Sequence, residues 1–588
     1  MNAFRGMLLR TTRLAVGVAG GIAAMSGAVR AAEFDIEGVH ASWVTQVTAG
    51  IGIRAQDPSC GLTGARDAGG GGSAGCGSSA NTAQWGNGHT GNLNYNKWQP
   101  YTGYLKGTTE LLLSGYDGYK FMGRGTASFD PAARFTQYAA LEDAARKRIG
   151  HDAQMLDLWV SKDYDIAQKR GHVRLGNQVV NWGESVWAAG GINATNSMDL
   201  QKLAIPGTQL KEAVIPAPMI SFAQAITPNI NVEAYYQFYW NHAAFAPVGT
   251  YWSVSNNLGA GAKPIYLNAN NANLAATPQT PGALAVNMGP DMEPSSQGQF
   301  GVNVHFKPAG TQVDLGFYFL NYHDKLPVLD NNVNGTVSAK YLENRQLYGV
   351  SANFPAGDWS IGSEVSYRPR DAVALTGCSA SSNPMDLSSA NTPTGINCHQ
   401  WKEMQKFQTD VVGLLAMTPS EYPFIGRIGA DSGSLTMEGT WIFYPGVNDN
   451  KLVSSSVNGQ GVVQGYQAGY FPWLAKNSYT GSPITGSKGT AHSAGMTIDY
   501  NLTYDGSIIP GWQVTPGATF FWAMYGNTPN FQGNYLQGAK SLNVYVNFMQ
   551  NPAVWQGGVN FSHFFGGGVL SQQLGDRDFL GAYVTRNF

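Results

Sequence analysis

Residues 230–240 read INVEAYYQFYW. Ile230, Val232, Ala234, Tyr236, Phe238 and Trp240 fall on one side of an extended chain, and Asn231, Glu233, Tyr235, Gln237 and Tyr239 on the other, because successive strand side chains point to opposite faces. An apolar face that ends in aromatics, backed by a polar face over about ten residues, suits a strand with lipid on one side and water on the other. The pattern recurs. Tyr119, Phe121, Gly123, Gly125, Ala127 and Phe129 alternate with Lys120, Met122, Arg124, Thr126 and Ser128; Leu542, Val544, Val546 and Phe548 alternate with Ser541, Asn543, Tyr545 and Asn547. At the end of the chain Leu580, Ala582, Val584 and the terminal Phe588 share one face. The fold class expected is all-β, a transmembrane antiparallel β-barrel, rather than a large soluble all-β protein.

Composition agrees. Only 13% of the 588 residues are charged, while there are 74 Gly, 28 Tyr and 15 Trp, which is poor in charge and rich in glycine and aromatics for a soluble chain. Arg5, Arg10 and Arg13 precede an apolar run from Leu14 to Met25, and Val29-Arg30-Ala31 follows. Residues 1–31 therefore read as a signal peptide cleaved after Ala31, with 32–588 exported. Cleavage removes four arginines and no acid, which takes the formal charge from -2 to -6. Such mild acidity argues against nucleic acid as a partner. Beyond the signal no run approaches the roughly 18 apolar residues of a membrane helix.

Eighteen strands are expected, near 41–54, 99–113, 118–129, 154–164, 170–181, 217–226, 230–241, 297–307, 311–323, 339–354, 358–371, 403–416, 433–445, 491–505, 510–525, 539–550, 553–565 and 578–588. Connections after odd strands are long and those after even strands are mostly turns, as in outer-membrane barrels. The exception is 417–432, where the register is weakest and where sixteen strands is the alternative count. About nine residues separate the cleavage site from the first strand, which leaves no room for an amino-terminal plug. Cys60 and Cys76 fall in one long loop, Cys378 and Cys398 in another. In an oxidising compartment the simplest pairing is within each loop, contributing about 3 kcal/mol apiece against the unfolded chain. The run Gly69–Gly72 lacks the lysine and helix of a phosphate loop and reads as a flexible tip.

No HExxH motif is present, and the ten histidines are scattered, so neither a metal site nor a cofactor is expected. Ser493 adjoins His492, but strand neighbours point to opposite faces. No enzyme is expected. Inward-facing charges are mixed in sign: Lys106, Glu110, Lys120, Arg124, Asp157, Arg174, Glu233, Asp314, Glu364 and Arg368. They read as cross-strand ion pairs that support the wall, because an ion filter would carry one sign.

The stretch 170–218 breaks the alternation. It starts as a strand, with Val173, Leu175 and Val179 opposite His172, Arg174 and Gln178. It then mixes polar residues with Trp182, Trp187, Ile192, Leu200, Leu203 and Ile205, which look buried, and with Gly190, Gly191, Pro206 and Gly207, which permit reversals. An eighteen-strand barrel leaves an aqueous lumen unless something fills it, and about 182–216 is the connection suited to fold inward. There Glu184, Asp199, Lys202, Lys211 and Glu212 would pair with one another or with wall charges such as Arg174, since unpaired ions in a narrow lumen are costly. Gln178, Trp182, Asn193 and Asn196 would then lie where a passing molecule meets the constriction.

The run VRLGNQVVNWGESVWAAGGINATNSMDLQKLAIPGTQLKEAVIPAPMISF, with GNLNYNKW at 91–98 and PVGTYWS at 247–253, resembles the signature of a proteobacterial outer-membrane family known as domain of unknown function one thousand three hundred and two. The resemblance extends over nearly the whole mature chain. The terminal strand, with Phe588 last on its apolar face, is of the kind that outer-membrane barrels present for assembly, so outer-membrane lipid and the barrel assembly machinery are expected partners. The resemblance implies two companions: a periplasmic lipid-binding-like protein and an inner-membrane transporter of the resistance-nodulation-division type. Traffic of hydrophobic molecules through the envelope is the activity implied. The glycine-rich first loop and the cysteine pairs depart from the family pattern, so ligand selectivity carried by outer loops does not transfer. Two functions are therefore expected to compete: a channel or transport component for a hydrophobic or amphipathic small molecule, and a structural or adhesive barrel with a filled lumen.

Overall fold

A computed structural model describes residues 32–36, 38–59, 62, 90–266, 285–332, 336–375, 398–448, 453–457, 460–469, 488–568 and 571–588. The proposed signal peptide and Cys60, Cys76 and Cys378 lie outside the described residues. Eighteen antiparallel strands close into a barrel. In chain order they are β1 (Val39–Arg54), β2 (Pro100–Ser114), β3 (Tyr119–Phe129), β4 (His151–Ile166), β5 (Lys169–Gln178), β6 (Ala217–Thr227), β7 (Ile230–Gln237), β8 (Gln299–Phe306) and β9 (Asp314–Tyr322). The second half comprises β10 (Arg345–Ala356), β11 (Trp359–Ala374), β12 (Trp401–Met417), β13 (Ser432–Phe443), β14 (His492–Ile509), β15 (Trp512–Tyr525), β16 (Lys540–Gln550), β17 (Trp555–Phe565) and β18 (Phe579–Asn587). Pairing of β1 with β18, from Gln46 opposite Asn587 to Arg54 opposite Phe579, closes the ring and leaves no free edge among these strands.

The outward face is the apolar one. Leu105, Val160, Leu175, Phe317, Val350, Val411, Val544 and Leu580 all stand exposed on it. Near one rim an aromatic ladder crosses five consecutive strands: Tyr348 stacks on Tyr367, Tyr367 on Phe407 with centroids 4.7 Å apart, Phe407 on Phe443, and Phe443 on His492 at 4.3 Å. Belts of this kind mark where a barrel meets the membrane interface. Inside, some of the mixed charges pair across strands, whereas Lys106, Glu233, Glu364 and Arg368 bond the connection after β5 and Arg174 stacks on Trp159. Arg124 on β3 lies 3.2 Å from Glu110 on β2 and 2.6 Å from Asp157 on β4, and Lys120 lies 2.9 Å from Asp163.

Several features differ from those expected. The strand placed at 339 begins at Arg345, because Val337–Lys340 pairs instead with Val328–Asn331, which pairs on its other side with Cys398–His399, in a small separate sheet. The strand placed to 241 ends at Gln237, after which Phe238 bonds back to Pro218. The connection after β12 adds no strand pair; it holds one helical turn, Pro423–Arg427, started by a proline. A short strand that the alternation did not indicate, Ala32–Ile36, folds back on β1.

The apolar core sits within the lumen rather than between layers. Trp182 and Ile192 of the connection after β5 pack with Met219, Tyr235, Tyr318, Leu320 and Leu347 of the wall. A second cluster, Tyr95, Tyr101, Tyr251, Trp252 and Phe579, joins long connections at one mouth, with Tyr101 stacked on Tyr251 at 4.1 Å.

Candidate functional site

Residues 179–216 cross the barrel interior, and the wall carboxylates explain how. Glu364 on β11 accepts the backbone N–H groups of Glu184 at 2.7 Å, Ser185 at 3.3 Å and Ile192 at 2.9 Å. Glu438 on β13 accepts those of Val186 at 2.9 Å, Trp187 at 2.7 Å and Ala188 at 2.9 Å. A turning backbone in a lumen has N–H groups that no ladder satisfies, and two buried carboxylates supply the acceptors. Arg368 on β11 donates to the carbonyls of Gly190 and Gly191, and Gln408 on β12 donates to that of Ala189. Gly191 is required by this closeness: a Cβ there would lie 2.1 Å from a Glu364 oxygen.

The far half of the segment is bonded to the opposite wall. Tyr104 on β2 donates to the Pro206 carbonyl. Gly207, at a φ of 74°, comes so close to Tyr583 on β18 that a Cβ there would lie 2.5 Å from its ring. Lys106 on β2 lies 2.5 Å from Glu212, which also accepts from Thr108 at 2.6 Å and caps its own short helix, Leu210–Ala213, through Gln209.

The expected site residues fall into two groups. Lys202, Lys211 and Glu212 meet wall charges, Lys202 pairing with Asp152 at 2.8 Å, Lys211 with Glu110 and Glu212 with Lys106, while Asp199 pairs with Arg148 of the short helix Asp143–Gly150 that precedes β4. Glu184 accepts from Asn353 at 2.8 Å. Arg174 stands apart from the segment, its guanidinium 4.3 Å from the centre of the Trp159 ring. Gln178 is bonded to Met219 and Ser221 on β6. Trp182 is buried and donates to Glu233 at 2.7 Å, while Asn193 and Asn196 bond to each other, to Asn181 and to Val180. Burial, however, does not extend to Trp187 and Leu203, which are 40% and 45% exposed; they are turned into open lumen.

That lumen is a cavity of about 1030 Å³ between the segment and strands β14–β18. Trp187, Leu203 and Ile205 line one side, and Asn543, Asn547, Asn560 and Ser562 line the other. Asn543 accepts from both Asn560 and Ser562 at 2.8 Å, so the wall side carries an ordered neutral polar track. Among the described residues that line the cavity none is Asp, Glu, Lys, Arg or His. Asn543 and Asn547 were legible as inward positions of an alternating strand; Glu438 was missed, although an acid between Met437 and Gly439 on a strand is the signal that could have found it.

A closed eighteen-strand barrel with an apolar outer belt and a bonded inner segment is a membrane β-barrel with a partly filled lumen. The chain belongs to the family described as Protein of unknown function (DUF1302), which matches residues 12–588. No curated protein matches it. Among solved structures it is similar to Acinetobacter baumannii OccAB1, at 10% identity over 96% of this chain and 99% of that one, with a TM-score of 0.41. It is also similar to Pseudomonas aeruginosa OpdK with vanillate, at 9% identity over 93% and 98%, with a TM-score of 0.39. Similarity at that level leaves the function to be argued from this chain's own residues.

Proposed function

We propose that the protein is an outer-membrane channel for an uncharged hydrophobic or amphipathic small molecule, with residues 182–216 as its internal constriction. The observation that carries this reading is the cavity: about 1030 Å³, apolar on the segment side, a mixture of apolar and neutral polar side chains on the wall side, and without a charged residue among the described residues that line it. Its size is near the upper end of small-molecule sites, roughly 300–1,000 Å³. Apolar surface of a solute gains about 25 cal/mol per Å² buried against Trp187, Leu203 and Ile205. A charged solute would lose hydration there and find no countercharge. The family resemblance extends the proposal to a periplasmic lipid-binding-like companion and a resistance-nodulation-division type transporter behind the barrel.

The competing reading, a structural or adhesive barrel with a filled lumen, draws support from the six backbone N–H bonds that Glu364 and Glu438 spend on the segment. Replacing residues 186–210 by a short glycine linker separates the two. The channel reading expects single-channel conductance in a planar bilayer to rise several-fold in an assembled barrel, and the intact protein to pass uncharged amphipathic solutes into liposomes in preference to charged ones. Unchanged conductance in the assembled deletion would put the segment outside the pore, and no passage of solute through the intact protein would leave only the structural reading.

A further inference from the structure

The long connection between β12 and β13, residues 418–431, does not project from the rim; it turns back along the outside of the wall. Ile425, the buried residue of the turn Pro423–Arg427, clusters with Leu415, Met417 and Ala430, against Trp359, Leu435, Tyr500 and Leu502. These wall residues are outward ones. Leu415 lies opposite both Trp359 and Leu435, and Leu435 opposite Tyr500, in step with the exposed Val411 and Met437. The connection is tied down at both ends: Tyr422 donates to Asp358 at 2.8 Å, and Asp431 accepts the N–H of Asp505 at 2.7 Å. Held this way, it presents Phe424 and Ile428 outward, 46% and 49% exposed, with Arg427 exposed between them.

We infer that residues 422–430, at the end of the barrel that carries the short turns and so faces the periplasm, form a membrane-surface foot that binds phospholipid of the inner leaflet. Phe424 and Ile428 enter the boundary between headgroups and acyl chains, and the guanidinium of Arg427 meets lipid phosphate. The occupant follows from continuity: the turn is seated on the lipid-facing belt, so whatever covers Val411 and Met437 also covers it. Aromatic and aliphatic side chains beside an arginine are the residues that settle at this depth, and the planar guanidinium matches phosphate. The inference rests on the outer-membrane placement proposed above and not on what the cavity carries.

The test uses the full chain with p-benzoylphenylalanine in place of Phe424, and in a second protein in place of Ala309, an exposed residue of the turn between β8 and β9. Both are reconstituted in phosphatidylethanolamine and phosphatidylglycerol vesicles, irradiated and examined by mass spectrometry. Phospholipid adducts at position 424 should exceed those at 309 by about tenfold. Should the variant at 424 fail to assemble, the photoreactive group in place of Ile428 gives the same reading. Equal yields from heat-modifiable, assembled barrels overturn the inference and leave the outer-membrane placement standing. In cells, a protein adduct at 424 in place of lipid overturns it as well, whereas absence of the chain from the outer membrane removes both readings.

Discussion

The carboxylate of Glu438 accepts the backbone N–H of Trp187 at 2.7 Å, joining residues 251 apart in sequence across the inner face of the barrel. Glu438→Ala leaves three segment N–H groups without an acceptor, at about 1–3 kcal/mol for each one that water does not reach. Limited proteolysis between residues 184 and 191 should therefore speed up, and open-channel noise should increase, while the barrel still migrates anomalously until boiled. Glu438→Gln, which keeps an acceptor, should fall between. Cleavage at the parent rate in Glu438→Ala would show that the carboxylate does not hold the segment.

The far anchor should respond to acid. Glu212 lies in the inward segment rather than in a spanning strand. Burial raises its pKa, but the Lys106 ammonium, Thr108 and the Gln209 N–H outweigh that and hold the carboxyl below its ordinary 4.5. A carboxylate with a depressed pKa stabilises the folded state fully above the unfolded value and loses that contribution as pH falls from about 4.5 through the folded value. The boiling transition of the barrel should thus drop on acidification below that point, and Lys106→Met should lower it at neutral pH, since removing one partner of a buried pair costs about 3–5 kcal/mol. A transition insensitive to both changes would remove this pair from the barrel's stability.

The cavity should respond to charge more than to size. Leu203→Asp places a carboxylate in an uncharged lining and should reduce flux of an uncharged amphipathic dye into liposomes by roughly tenfold, equivalent to about 1.4 kcal/mol. Trp187→Ala, which truncates a side chain already 40% exposed, should raise that flux without lowering the boiling transition by more than a few degrees. If Leu203→Asp leaves the dye flux unchanged, the permeant does not touch this surface.

At the terminus, Phe588 donates its N–H to the Thr45 carbonyl at 2.7 Å, and Arg586 lies over its ring at 4.7 Å. Asn587 bonds instead to Ala553 and Val554 in the neighbouring turn. Deletion of Phe588 should reduce the amount of heat-modifiable barrel in outer-membrane fractions more than Asn587→Ala does. Equal assembly of the two would take the terminal residue out of the recognition argument.

For the cysteines, non-reducing peptide mapping of protein from its native host should link Cys60 with Cys76 and Cys378 with Cys398. Of the four, Cys398 is described, buried in the two-residue strand Cys398–His399. A link between the two loops, or free thiols, would overturn the pairing.

The sequence by itself determined the barrel and its eighteen strands, because lipid on one side and water on the other act on each strand separately and write a period of two into each. It also showed that the stretch after β5 was foreign to that pattern, and its charges were legible as partners for wall charges. The tertiary structure alone decided which partners. Glu364 and Glu438 hold residues 184–192 through backbone N–H groups, and a backbone donor carries no residue-type signal. Trp187 and Leu203 have the composition of core residues, yet they face open lumen because strands β14–β18 stand too far off to cover them. Residues 418–431 were unreadable for a related reason. Their apolar side chains suit a strand, a lumen filler or a foot on the outer wall equally well, and only the outward set of Leu415, Leu435 and Tyr500 selects the last.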